Sequence, residues 1–246
     1  MQYTDIRFPH LGIVLSHVGR YISIGDFQIM FYGIIIACGF LVGLWVAQQE
    51  AKRTGQNPEI YMDYLLVMMI PAIIGARIYY VVFSWDSYKD NIPEIFNLRH
   101  GGLGIVGGVT MAIIVLLIFA KVRKQSALLM LDTMTMALLL GQIMGRWGNF
   151  FNREAFGGYS KGLLAMALPR SAVRQGEITG QMLEHLNVID GVEFIQVHPT
   201  FLYESLWNLM LLVCLLYLWK HRRYPGQIVF TYLMGYGLGR IWIESL

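Results

Sequence analysis

The chain has 246 residues, 56% of them hydrophobic and 14% charged, with a formal net charge of +3. Soluble domains carry about 25% charged residues, so the polar side chains here are too few to cover a soluble surface of this size. With so small a positive balance and no Lys/Arg-rich arm carrying interleaved aromatics, the composition also argues against a nucleic-acid partner.

Residues 1–26 mix Asp5, Arg7, Asp26 and two histidines and lack the basic n-region of a secretory signal, so the first apolar run reads as a retained span. A membrane-crossing helix needs about 20 mostly apolar residues. Six stretches qualify: 27–48, 63–84, 103–120, 127–147, 201–219 and 226–244. They predict an all-α fold, a polytopic transmembrane helical bundle forming a single domain over 1–246. Residues 148–200 have ordinary polar composition and form an insertion within it.

Lys and Arg accumulate in cytoplasmic loops. Lys52 and Arg53 follow span one, Lys121, Arg123 and Lys124 follow span three, and Lys220, Arg222 and Arg223 follow span five. If every run crosses, these loops share one side. The N-terminus, the 85–102 loop, the 148–200 insertion and the C-terminus then lie outside the cytoplasm.

Cys38 and Cys214 sit inside apolar runs without CxxC or Cys/His spacing, so they read as small core residues rather than zinc ligands or nucleophiles. The run from Gly101 to Gly108 invites a phosphate-loop reading but lacks the Gly-Lys-Ser/Thr ending. Close helix approach through small residues is the competing reading. No internal repeat of the kind inverted-repeat transporters carry is evident.

Ionisable groups inside spans cost a few kcal/mol unless paired or hydrated, and Arg77, Asp132, Arg146, Glu204, Arg240 and Glu244 are such groups. Arg77, Arg146 and Arg240 fall in the outer halves of three spans. Tyr236, Arg240 and Glu244 recur at i, i+4 and i+8 and share a helical face. Arginine holds phosphate bidentately and stays charged at low dielectric, so an anion site competes here with a structural Arg–Glu pair. Arg77 and Asp132 read as structural partners of polar backbone or headgroups. His198 precedes Pro199 at the head of span five, either touching a substrate or standing at a proline turn.

Residues 145–157 read Gly-Arg-Trp-Gly-Asn-Phe-Phe-Asn-Arg-Glu-Ala-Phe-Gly. Arginine, asparagines and glutamate offer a phosphate partner, neutral hydrogen-bonding groups and an acid or base. The glycines suit a backbone turning sharply near a ligand. This segment resembles, throughout, the signature Gly-Arg-x-Gly-Asn-Phe-x-Asn-x-Glu-x-x-Gly of prolipoprotein diacylglyceryl transferases. Phe31-Tyr32-Gly33, the stretch His198–Glu204 and the stretch Gly239–Glu244 agree with it as well.

The resemblance implies a bacterial plasma-membrane enzyme without metal or organic cofactor. Its substrates would be phosphatidylglycerol, a membrane lipid, and the lipobox cysteine of a prolipoprotein signal peptide; its products a thioether and glycerol phosphate. On matching positions, the catalytic candidates are Arg146, Arg240, Glu154 and Glu244. Substrate-binding candidates are Arg146, Asn149, Tyr32, Gly157, Tyr236 and His198. Two departures stand out. Val106 occupies a position where many relatives carry a histidine. Either that base is dispensable, another group serves, or the chain is impaired; His100, six residues earlier, is a substitute base or a cap of the outer loop. Relatives also continue past the Gly-Arg-x-x-x-Glu segment into a final span, so this chain looks truncated after Glu244. The competing functions are a membrane transporter for an anionic solute and an inactive lipid-binding relative.

Overall fold

The computed structural model describes residues 4–98 and 101–246. Six long helices carry the architecture: α1 (Phe31–Arg53), α2 (Glu59–Phe83), α3 (Ile105–Val122), α4 (Ala127–Asn152), α6 (Thr200–Lys220) and α7 (Gln227–Ile243), with a short α5 (Gly180–Glu184) in the insertion. All but α5 and the 17-residue α7 are long and apolar enough to cross a membrane. A helix pairs its backbone groups internally, which hydrocarbon demands. Large apolar side chains such as Leu41, Phe83 and Ile241 stand exposed on these helices, as expected of surfaces bathed in lipid. The protein is thus a multi-pass helical membrane protein, as the hydropathy pattern predicts.

Two compact units divide the chain. One runs to Gly43 and takes in Thr135–Arg223 and Gln227–Leu246; the other comprises Leu44–Met134 with Tyr224–Gly226. In the second unit, α2 and α3 meet through glycine. A side chain at Gly75 would collide with Met111 Cβ at 2.6 Å, and one at Gly107 with the Gly75 carbonyl. Gly104, Gly107 and Gly108 of the glycine run therefore serve close packing against α2, while Gly101 and Gly102 take left-handed backbone ahead of α3. Tyr64, Leu116, Phe119, Ala120 and Met130 form the core beside it. Asp132, fully buried, accepts from the Gly226 N–H at 2.8 Å, the structural role expected of it.

In the first unit, Gly39 and Gly43 of α1 lie against Gly141 and Ala137 of α4, and Trp207 of α6 fills the space left by Gly239 of α7. Cys38 and Cys214 are exposed on their helices rather than packed in a core. In lipid the outward face of a helix is as apolar as the inside, so an apolar run alone does not say which way a small residue points.

The same unit holds an antiparallel sheet of strands β1 (Ile6–Phe8), β2 (Ile13–Leu15), β5 (Met166–Pro169), β6 (Asn187–Ile189) and β7 (Val192–Val197), in the order β2-β1-β5-β7-β6. A separate hairpin pairs β3 (Tyr21–Ile24) with β4 (Phe27–Met30). The N-terminal segment thus completes a sheet whose other strands come from the insertion. Ile6, Phe8, Leu168, Ile195, Val197 and Phe201 bury the face between this sheet and the helix ends. Strands of three to six residues carry too few alternations to be read from sequence.

Candidate active site

The signature segment stays helical as far as Asn152. Gly145 and Gly148 therefore do not turn the chain. They let α1 approach: a Cβ at Gly148 would lie 2.7 Å from the Tyr32 ring, and one at Gly145 3.7 Å from Ile36. The turn falls on non-glycine residues instead, Arg153 at φ 54° and Ala155 at φ 52°. Left-handed backbone at such residues costs about 1–2 kcal/mol each, and a dense set of bonds holds it. Glu154 N–H donates to Asn149 O at 3.1 Å, and Thr200 Oγ1 donates to Ala155 O at 2.5 Å. Buried Arg153 donates to Thr4 O at 2.6 Å and Val18 O at 2.5 Å, tying the N-terminal segment to the end of α4. Burial, with nearby Arg20, lowers its guanidinium to about 10.

Close to this break, three polar side chains from three helices meet in one space. Glu204, in the first turns of α6, is buried, with its side chain only 4% exposed. Arg146 from α4 pairs with one of its oxygens and Arg240 from α7 with the other. Arg240 also grips Glu244, one turn on. Beside them, Glu154 accepts from Asn149 at 3.2 Å and Asn152 at 3.1 Å and pairs with Arg174 at 3.1 Å. Arg174, in the insertion, also reaches Glu177 at 3.7 Å. Arg146 closes the chain with a 3.5 Å contact to Asn149 Oδ1.

All of these except Asn152 line one cavity of about 710 Å³, whose wall includes Gly157, Thr200 and the insertion residues Thr179 and Met182. The expected residues Arg146, Arg240, Glu154, Glu244, Asn149 and Gly157 are therefore brought together. A side chain at Gly157 would meet His198 Cβ at 2.9 Å, so glycine there admits close approach of the strand leading into α6.

Tyr32, Tyr236 and His198 do not line the cavity. Tyr32 packs on Gly148, and Tyr236 stacks on Tyr232 with ring centroids 5.5 Å apart. His198 exchanges backbone hydrogen bonds with Gly157 and Gly158, its Nδ1 is buried without a hydrogen-bond partner, and burial lowers its imidazole below the usual range. His100 lies outside the described residues. Val106 is exposed near the start of α3. Arg77 donates to the carbonyls of Glu94, Ile95, Asn97, Gly101 and Gly102 and lies 5.1 Å from the Tyr88 ring centroid, a loop-pinning role rather than an anion site.

Three residues of the cavity wall, Glu204, Arg174 and Glu177, were not among the expected site residues. Glu204 stood out only as a costly charge, although it is the sole acid in its span. Arg174 and Glu177 sit in a polar loop, where charge carries no such signal.

A family model described as Prolipoprotein diacylglyceryl transferase matches residues 20–246. A phosphatidylglycerol–prolipoprotein diacylglyceryl transferase of Bacillus cereus is 40% identical over 231 residues, covering 92% of this chain and 79% of the relative. Proteins of the same description from Bacillus mycoides and Bacillus anthracis are each 40% identical over 234 residues with the same coverage.

Proposed function

Since the chain belongs to the prolipoprotein diacylglyceryl transferase family, we propose that it transfers the diacylglyceryl group of phosphatidylglycerol to the lipobox cysteine of a prolipoprotein signal peptide. The cysteine sulfur attacks the glyceryl carbon that bears the phosphate ester. A carbon–sulfur bond forms, the carbon–oxygen bond breaks, and glycerol phosphate leaves with the bonding electrons. The thiol proton passes to a cavity carboxylate, and Glu244 is the most exposed partner of the Arg240 pair.

The observation that carries this reading is the convergence of Arg146 and Arg240 on Glu204 at the cavity. A guanidinium has five N–H donors. Glu204 engages few of them and fixes both planes, leaving donors for the phosphate oxygens where charge grows as the ester breaks. The lining holds three guanidiniums, Arg146, Arg174 and Arg240, against four carboxylates, Glu154, Glu177, Glu204 and Glu244. The summed formal charge of the lining therefore does not attract an anion, and hydrogen-bond geometry does the selecting. The same excess of carboxylate favours release of the more highly charged glycerol phosphate. Asn149 and Glu154 order the headgroup side of the cavity, and Arg174 with Glu177 forms its insertion-side wall.

We place the chain in the bacterial plasma membrane as one membrane domain. The Lys/Arg-rich loops face the cytoplasm; the N-terminus, the 148–200 insertion and the site face outward. Acyl chains enter between helices from the bilayer, and the product is a protein carrying two chains, the number that stable anchoring requires.

The test is reconstitution with phosphatidylglycerol and a lipobox peptide. The expected result is a peptide mass gain of one diacylglyceryl unit with stoichiometric glycerol phosphate. Unchanged product in Arg146→Ala and Arg240→Ala overturns the site assignment.

A further inference from the structure

The β3–β4 hairpin is not used by the site, and its chemistry is one-sided. Its register pairs Ile22 with Ile29 and Ile24 with Phe27, while Tyr21 pairs with Met30 and Ser23 with Gln28. Side chains alternate across a strand, and directly paired residues share a face. One face is therefore Ile22, Ile24, Phe27 and Ile29, without a polar atom in its side chains. The other carries the hydroxyls of Tyr21 and Ser23 and the amide of Gln28, with Met30 at its base the one wholly apolar side chain.

The apolar face is largely open, with Ile24 66% and Phe27 70% exposed and only Ile29 partly covered. A lone two-stranded hairpin is marginal in water, and an open apolar face makes it worse. Its position, however, is fixed. β4 runs directly into α1, the first membrane-crossing helix, and the Phe31 N–H of that helix donates to Arg20 O at the hairpin base at 2.9 Å. Arg20 in turn donates to Ala172 O in the insertion. The apolar face is thus continuous, along the chain, with a surface that already faces lipid.

Polar groups at both ends set how it lies. The two-residue tip is Gly25-Asp26, with Gly25 at φ 61°, the glycine-first pattern of a tight hairpin turn. A carboxylate at the tip and a guanidinium at the base oppose tip-first insertion. An apolar middle between charged ends suits a ribbon lying flat in the headgroup boundary.

We propose that the β3–β4 hairpin is a membrane-surface anchor. Its Ile22/Ile24/Phe27/Ile29 face rests in the bilayer surface at the N-terminal end of α1, and its Ser23/Gln28 face rests in water. Through Arg20 the anchor sets the depth of the insertion. The inference is independent of the transfer chemistry.

The test uses the full chain in phosphatidylglycerol/phosphatidylethanolamine vesicles, with Cys38→Ala and Cys214→Ala removing the native thiols. Single spin labels are placed through Phe27→Cys and Ser23→Cys. At residue 27 the label collides with oxygen in preference to a water-soluble nickel chelate; at residue 23 the preference reverses. Equal nickel access at both positions overturns the proposal. So does spin–spin broadening at residue 27, which would mean that a second copy covers the face. Phe27→Trp reads the same contrast without labelling: quenching of the added emission by brominated phospholipid supports the anchor, and quenching by iodide alone sinks it.

Discussion

Arg146 on α4 and Arg240 on α7 are held by opposite oxygens of one carboxylate, that of Glu204. Neither guanidinium is free, and neither can move without the other being disturbed. The site is therefore a preassembled unit, and substitutions within it should behave non-additively.

Glu204→Gln removes the buried charge that balances both arginines. Breaking a buried pair typically costs about 3–5 kcal/mol. The expected outcome is a clear loss of thermal stability in detergent micelles together with loss of peptide lipidation. An unshifted melting temperature with full activity removes Glu204 from the centre of the site.

Arg146→Lys and Arg240→Lys keep charge but lose the planar fork. Each should lower kcat by about 100-fold or more, the scale for losing a donor aimed at developing charge. Single-turnover measurement of glycerol phosphate release separates this from weaker lipid binding.

Arg174 is exposed, 74% for its side chain, and its pairs with Glu154 and Glu177 lie toward water. Arg174→Gln should leave stability within about 0.5 kcal/mol, as exposed pairs do. It should raise KM more than it lowers kcat. A kcat collapse at unchanged KM places Arg174 in the chemistry instead.

Gly148→Ala drives a methyl group against the Tyr32 ring. Overpacking of this kind costs about 1–3 kcal/mol. Tyr32→Phe should be nearly silent, and pairing Gly148→Ala with Tyr32→Ala should recover part of the loss. If Tyr32→Phe abolishes transfer while the fold stays intact, the hydroxyl acts on substrate.

His198 is held below its ordinary value of 6.5 by burial. The unfolded chain therefore takes up the proton first as pH falls, so stability present above 6.5 is lost progressively below it. His198→Gln should flatten unfolding free energy across that acid window. An identical acid slope in both proteins assigns the effect elsewhere.

Long features were legible in the sequence and short ones were not. Six apolar runs correspond to the six long helices, five of them long and apolar enough to cross a membrane. The first run reaches too far toward the N-terminus, because its residues 27–30 form β4 ahead of α1. Arg146, Arg240 and Glu244 were legible because charge within a span demands explanation, and Glu154 because the 145–157 segment carries it. The hinge at Arg153 and Ala155 was misassigned to glycines, since the bonds to Thr4, Val18 and Thr200 that enforce it come from distant residues. The arginine at position 77 had the same chemistry as its two counterparts, and only the carbonyls of the following loop distinguish it.

Because β1 lies between β2 and β5, the outermost N-terminal segment finds its second sheet neighbour only when residues near Ala167 have emerged. Four helices are synthesised before that point. Closure of the sheet is therefore a late event in biogenesis, and a ribosome stalled before residue 166 would leave that edge unpaired and open to protease.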